Sequence, residues 1–265
     1  ITKHSAVVAV GGDGTINTVA RAAHALGCPM GVIPQGTFNY FARTHGIPDD
    51  PAIAARELLE WSPWPVQVAA INEHVFLVNA SLGLYPDLLE DREAYKARFG
   101  RSRWVAFWAA SATLLRAQRR LRMRIEQEGA VRNVKALTLF VGNNRLQLEQ
   151  LGVPPSLTLP NTPGHLTAVM LRPIGTLAML RLMWHGAMGS LGTAEDIEHF
   201  SFNHLVVRPT LTPGRRGVKV AFDGEVTRLR APLHFQVLSK PLFLLKPAPT
   251  TIAVNDKLPQ ESHGA

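Results

Sequence analysis

A chain of 265 residues, 46% hydrophobic and 18% charged, is long enough to bury one large core or two modest ones. Lysine and arginine number 28 against 20 acidic residues, a net charge of +8, so anionic partners are expected: nucleotide phosphates, nucleic acid or an acidic membrane surface. The single Cys28 excludes an internal disulfide and a cysteine-rich metal site and suits the cytosol, no signal peptide is visible, and no apolar run reaches the ~20 residues of a membrane span.

Val7 to Val10 reads as a strand buried on both faces, as inside a parallel sheet. It runs into Gly11-Gly12-Asp13-Gly14-Thr15 and then a helical segment, with Ile16, Val19, Ala20, Ala23 and Leu26 on one face, Thr15 as N-cap and Gly27 as stop. Strand, glycine loop and helix N-terminus form a cradle for anions, because the first N–H groups lack intrahelical partners and the helix dipole favours negative charge. Asp13 is informative there: a carboxylate beside phosphates repels them unless a divalent cation or a transferable proton lies between. The loop lacks the third glycine of G-x-G-x-x-G and the G-K-[ST] of a Walker A loop, and taken alone it also reads as a plain glycine turn. Met30 to Ile33 is a second short strand, and Pro34-Gln35-Gly36-Thr37 leads into a helical stretch from Phe38 to Thr44. Gly14-Thr15-Ile16-Asn17 and Gly36-Thr37-Phe38-Asn39 therefore share G-T-x-N at the same place in successive units. Both loops are expected at the carboxyl ends of neighbouring parallel strands, where two phosphate-type loops facing one crevice suggest a nucleotide.

Asp50 caps a helix that starts at Pro51 and runs to about Leu59, and Trp61-Ser62-Pro63-Trp64-Pro65 reads as a domain boundary. Val66 to Ile71 and Val75 to Ala80 are strands of a hairpin around Asn72-Glu73-His74. Pro86 to Arg98 and Trp104 to Leu115 read as helices, the second flanked by Arg98, Arg101, Arg103, Arg116, Arg119, Arg120, Arg122 and Arg124. It reads as a core-packed helix with solvated ends or as an interfacial membrane helix, while nucleic acid is not expected because no binding motif accompanies the arginines. Met123 to Ile125, Val134 to Val141, Leu166 to Leu171 and Ile197 to Val207 are further strands, with a helix near Ile174 to Met188. Val218 to Phe222 and Val226 to Leu229 flank Asp223-Gly224-Glu225, which by itself is a hairpin turn. Leu233 to Leu238 and Leu242 to Leu245 close the ordered part, and the tail from Pro247 is expected to be disordered. His199 and His204 are placed on one strand with opposite facing, so the histidines form no metal site, and Cys28 is read as a packing residue.

GGDGT at Gly11 to Thr15, followed one strand later by PQGTFNYFAR from Pro34, resembles the diacylglycerol kinase catalytic-domain family in its bacterial lipid kinase form. The likeness extends through Asn79 to Gly83, Val141 to Asn144 and Asp223-Gly224-Glu225; GGDGT alone is shared with NAD kinases, and the second motif discriminates. Three features depart from the family pattern: Asn39-Tyr40 replaces Asn-Asp, Asn17-Thr18 replaces Asn-Glu, and the chain starts at Ile1 without the family's preceding strand, helix and strand. The resemblance thus implies a member apparently lacking the extreme N-terminal part of its nucleotide domain.

The fold expected is α/β plus β. An N-terminal NAD-kinase-like α/β nucleotide domain spans 1–64, an antiparallel β-sandwich domain with inserted helices spans 65–232, and the resemblance implies that 233–247 returns to the first domain, leaving 248–265 as tail. The resemblance further implies an ATP- and Mg²⁺-dependent lipid kinase with its site in the cleft, acting on a lipid alcohol such as diacylglycerol. Gly11, Gly12, Gly14, Thr15, Asn17, Gly36, Thr37, Asn39 and Arg43 are assigned to the nucleotide, Asp13 to the magnesium, and Glu225 to the general base with Asp223 supporting it. Partners expected are ATP, the lipid and, peripherally, an anionic membrane on the inner face, with a homodimer admitted. A kinase of NAD or another soluble substrate, and a binder that has lost catalysis through Tyr40 and Thr18, stand as alternatives.

Overall fold

A computed structural model describes residues 5–83, 86, 121–150, 153, 164–173, 175, 197–210 and 217–248. The first elements are β1 (Val7–Gly11), α1 (Asp13–Leu26), β2 (Met30–Pro34), α2 (Tyr40–Thr44), α3 (Pro51–Glu57) and β3 (Ser62–Val66). Then come β4 (Ala69–Ile71), β5 (His74–Phe76), β6 (Asn79–Gly83), β7 (Leu121–Gln127), β8 (Ala130–Ala136), β9 (Thr138–Gly142) and α4 (Arg145–Gln150). The chain continues with β10 (Leu166–Leu171), β11 (Ile197–Phe202), β12 (His204–Pro209), β13 (Val218–Phe222), β14 (Glu225–Leu229), β15 (Leu233–Val237) and β16 (Leu242–Lys246).

The first lobe is a four-stranded sheet in the order β1-β2-β16-β3, with β1, β2 and β16 parallel and β3 antiparallel to β16. The apolar stripe of α1 buries Ile16, Ala20 and Ala23 together with Ala9, Met30, Val32 and Leu244. α1 starts two residues before the expected Thr15 cap: Gly12 is its N-cap, and no side chain caps it. At its end Gly27 takes the left-handed conformation (φ 69°), and the Cys28 amide donates back to the Ala23 carbonyl at 3.1 Å. β1 is not buried on both faces. Val8 and Val10 are 43% and 49% exposed, because α1 covers the Ala9 face while α3, on the far side, packs over Gly31 of β2. Asp50 caps α3 as expected, its carboxylate accepting from the Ala52 and Ile53 amides.

The stretch read as a boundary, Trp61 to Pro65, is the edge strand β3. Its prolines end the helix, but an edge strand tolerates them because one side of its ladder needs no donor. Residue 64 is thus inside a strand of the first sheet. Of the segment 233–247, only β16 joins that sheet; β15 lies between β4 and β12 of the second lobe.

The second lobe packs two six-stranded sheets, β11-β10-β9-β6-β13-β14 and β5-β4-β15-β12-β7-β8, around Ile71, Phe76, Leu82, Ile125, Leu139, Phe202 and Phe235. Two runs read as single strands are each split between the sheets. Val134 to Val141 breaks at Leu137, whose amide donates to Leu171, and Ile197 to Val207 breaks at Asn203. His199 and His204 consequently sit on strands of different sheets rather than on two sides of one. The Asn72 hairpin joins β4 to β5, while Asn79 and Ala80 belong to β6. The helices expected at 86–98, 104–115 and 174–188, and the tail beyond 248, lie outside the described residues. No helix among the described residues is long and apolar enough to cross a membrane.

Candidate active site

The two glycine loops touch backbone to backbone. The Gln35 amide donates to the Gly11 carbonyl at 2.9 Å, and a Cβ placed on Gly36 would lie 2.7 Å from the Gly12 Cα. Asn39 holds the second loop in shape: in a left-handed conformation (φ 49°), it accepts the Gly36 amide on Oδ1 at 2.8 Å. Gly14, Thr15 and Thr37 are exposed around this contact, and a Cβ on Gly14 would meet nothing within 4 Å. Gly36→Ala should therefore push the loops apart, costing roughly 1–3 kcal/mol as overpacking does, with weakened ATP binding. Gly14→Ala, in the first turn of α1, should instead be neutral or stabilising by about 0.5–1 kcal/mol. Thermal melts and ATP calorimetry on the pair check this; equal melting temperatures would show that loop contact is not limiting.

Asp13 opens α1 and points at the start of α2. Its Oδ1 accepts from the Phe41 amide at 3.3 Å, and the Tyr40 and Asn39 amides also favour its charge, but burial outweighs them and raises its pKa. Asn17 sits one turn further along α1, 2% exposed, with its Oδ1 buried and unpartnered. Arg43 is exposed and faces Asp49 at 3.9 Å, a surface pair of little energetic weight. Tyr40 stacks on Phe38 with ring centroids 5.5 Å apart. Burial, and then the charge of Asp13, raise the Tyr40 hydroxyl pKa.

The opposing wall comes from the second lobe. Asp223 and Gly224 both take positive φ (46° and 87°) between β13 and β14, and Phe222 pairs with Glu225, so the hairpin reading of this motif stands. The turn is more than a turn. Asp223 is buried, and its carboxylate accepts from the Leu77, Val78 and Asn79 amides at 2.7, 2.9 and 2.9 Å. Burial pushes it up to about 6 against the pull of those three donors, and the negative charge of Asp13 adds to the rise. Of the two aspartates assigned from the sequence, the one in the first lobe thus acts electrostatically on the one in the second. Glu225, one residue beyond the turn, is exposed, and its carboxylate makes no ion pair among the described residues.

Asparagines with no assigned role join the lobes. Asn144 donates to the Tyr40 carbonyl at 3.1 Å and accepts the Gln147 amide, seating α4 against α2. Asn143 donates to the Leu77 carbonyl at 2.9 Å, and Asn79 donates to Gln147 at 2.9 Å. Leu77 and Val78, just before β6, are buried in the first lobe's core, so one short segment serves both lobes. The sequence signals for these contacts were the Asn79 to Gly83 motif and Val141-Gly142-Asn143-Asn144, adjacent amide side chains directly after an apolar strand.

Comparison with known proteins shows likenesses in sequence and in fold. Residues 1–71 match the model of the diacylglycerol kinase catalytic domain. A protein named "Probable lipid kinase YegS-like" from Cronobacter sakazakii is 30% identical over 52% of this chain and 48% of its own length. One of the same name from Klebsiella pneumoniae is 32% identical over 52% of this chain and 47% of its own. The chain thus spans about half the length of these curated relatives. A crystal structure of a diacylglycerol kinase from Bacillus anthracis superposes with a TM-score of 0.61 at 22% identity, covering 91% of this chain and 76% of the other, a likeness of fold. The matched segment, residues 1–71, holds both glycine loops, and over it the chain is similar to the diacylglycerol kinase catalytic-domain family.

Proposed function

We propose that the protein is an ATP-dependent kinase that transfers the γ-phosphoryl group to a lipid hydroxyl such as that of diacylglycerol. The observation that carries this reading is Asp13 at the mouth of two glycine loops joined backbone to backbone, its carboxylate held by the Phe41 amide at the start of α2. In-line phosphoryl transfer asks for positioned phosphates, neutralised charge and a base at the attacking hydroxyl. The free N–H groups opening α1 and the glycine backbone would take the phosphates, with Thr15, Thr37 and Asn39 around them. Mg²⁺ binds one or two carboxylates and completes its shell with phosphate oxygens and water, so the residues present fit it: Asp13 would hold it, and the unpartnered Asn17 Oδ1 adds an oxygen donor nearby. Bound there, the ion would neutralise charge on the phosphates. Asp223 is a positioning residue, because three amides occupy its oxygens. Glu225, held beside it and free to solvent, would take the hydroxyl proton. The names of the relatives support a lipid as acceptor.

The direct test is incubation with γ-labelled ATP, Mg²⁺ and a lipid panel, followed by organic extraction. Label in the organic phase is expected; label confined to NADP or a sugar phosphate, or ATP binding without transfer, overturns the reading. Asp13→Asn should weaken the Mg²⁺ dependence of turnover strongly and change the melting temperature little. Unchanged Mg²⁺ affinity and turnover would remove Asp13 from the metal role.

A further inference from the structure

A second concentration of charge lies on the outer face of the second lobe, at the β12–β7–β8 end of its sheet. Arg124 is registered directly opposite Arg208 of β12, and Arg122 directly opposite Lys135 of β8. All four are exposed. Met123, Ile125 and Val207, which alternate with them, point into the core, so the four cations share the outward face. Like charges directly opposite one another weaken a sheet, and here two such pairs stand side by side. None of the four makes an ion pair among the described residues, and Glu126 on the same face is registered with Val206 and Val131 instead. Three of the four, Arg122, Arg124 and Lys135, line a cavity of about 250 Å³ together with Asn133 and Thr210. The Thr210 amide, tied to the Arg122 carbonyl at 2.8 Å, fixes one wall.

From this juxtaposition we infer that the cavity binds a phosphate group carrying at least two negative charges, presented by a lipid headgroup or as a free phosphate. Guanidinium forks match phosphate oxygens, and the amide of Asn133 and hydroxyl of Thr210 add neutral donors. A multivalent anion offsets the cation–cation repulsion that the bare sheet carries. Arg122 and Arg124 belong to the arginine run that the sequence places around a helix; the strand register gives them this separate use. The site is distinct from the glycine loops and does not depend on the kinase reading.

The test compares wild type with Arg124→Gln/Lys135→Gln, and with Arg122→Gln/Arg208→Gln as an independent second variant. Inorganic pyrophosphate is titrated by calorimetry, and phosphatidylcholine vesicles with and without phosphatidic acid are used in sedimentation. Any pyrophosphate bound at the glycine loops contributes equally to all three proteins, so the difference reports on the cavity. Losing two cations should weaken binding by about thirtyfold at a typical surface contribution per charge, more at low salt than at high. A loss seen with pyrophosphate alone assigns free phosphate, and a loss seen also or only with phosphatidic acid vesicles assigns a headgroup; each supports the site. Both variants binding both probes as wild type does would overturn it.

Discussion

Glu225→Gln is expected to lower turnover by roughly 10²–10⁴-fold while leaving the melting temperature and ATP affinity where they were. Glu225 follows a two-residue turn and is exposed, so the nearly isosteric change should alter folding by less than about 0.5 kcal/mol. Its position is nonetheless set firmly, because the preceding Asp223 is anchored to three amides of the segment that enters β6. A carboxylate on a fixed hairpin and open to solvent has the mobility and access a general base needs. Single-turnover transfer with saturating ATP would separate the step from product release. A fall of less than about tenfold, well short of a general base, would remove Glu225 from that role. Asp223 would not replace it without giving up the amides that it holds.

Asp223→Ala should destabilise the protein by roughly 3–5 kcal/mol, since it strands three buried amides at about 1–3 kcal/mol each with some relief from entering water. Asp223→Asn keeps the Oδ1 acceptor for Val78 and Asn79 and should cost less. The pair also has a pH signature. The folded-state carboxyl of Asp223 is raised to about 6 from 3.8, so between these values the folded chain holds a proton that the unfolded chain has released. Its stabilising contribution is therefore full below about pH 4 and declines as pH rises towards 6, by about 3 kcal/mol in all. Chemical denaturation of wild type and Asp223→Asn across pH 4–7 should show the gap between them narrowing with rising pH. A gap that widens would mean the three amides outweigh burial and hold the carboxyl down.

Much of the first lobe could be read directly, because its signals are local. Val7 to Val10 before a glycine loop, Gly27 after an apolar stripe and Asp50 before Pro51 each specify a structure within a few residues. The alternation of β1 was less legible: four apolar residues look the same whether a helix covers one face or both, and only the placement of α1 and α3 exposes Val8 and Val10. The proline stretch from Trp61 showed where the helix stops but not that it forms a strand, since prolines forbid a helix but not an edge strand, and edge position is a property of the sheet.

The amino-acid sequence by itself determined the two G-T-x-N loops, the Gly27 and Asp50 caps, the Asp223-Gly224 turn and the family likeness of residues 1–71. Only the tertiary structure decided where Val134 to Val141 and Ile197 to Val207 break, because both halves of each run are apolar enough for either sheet and the crossing is chosen by strand partners. It alone decided the part played by Asp223, whose amide partners lie 144 to 146 residues away and leave no mark on its neighbours. The same holds for Asp13. A carboxylate in a glycine loop suggests a cation, but its raised pKa comes from burial and its electrostatic effect on Asp223 reaches a residue far away in the chain, both set only on folding.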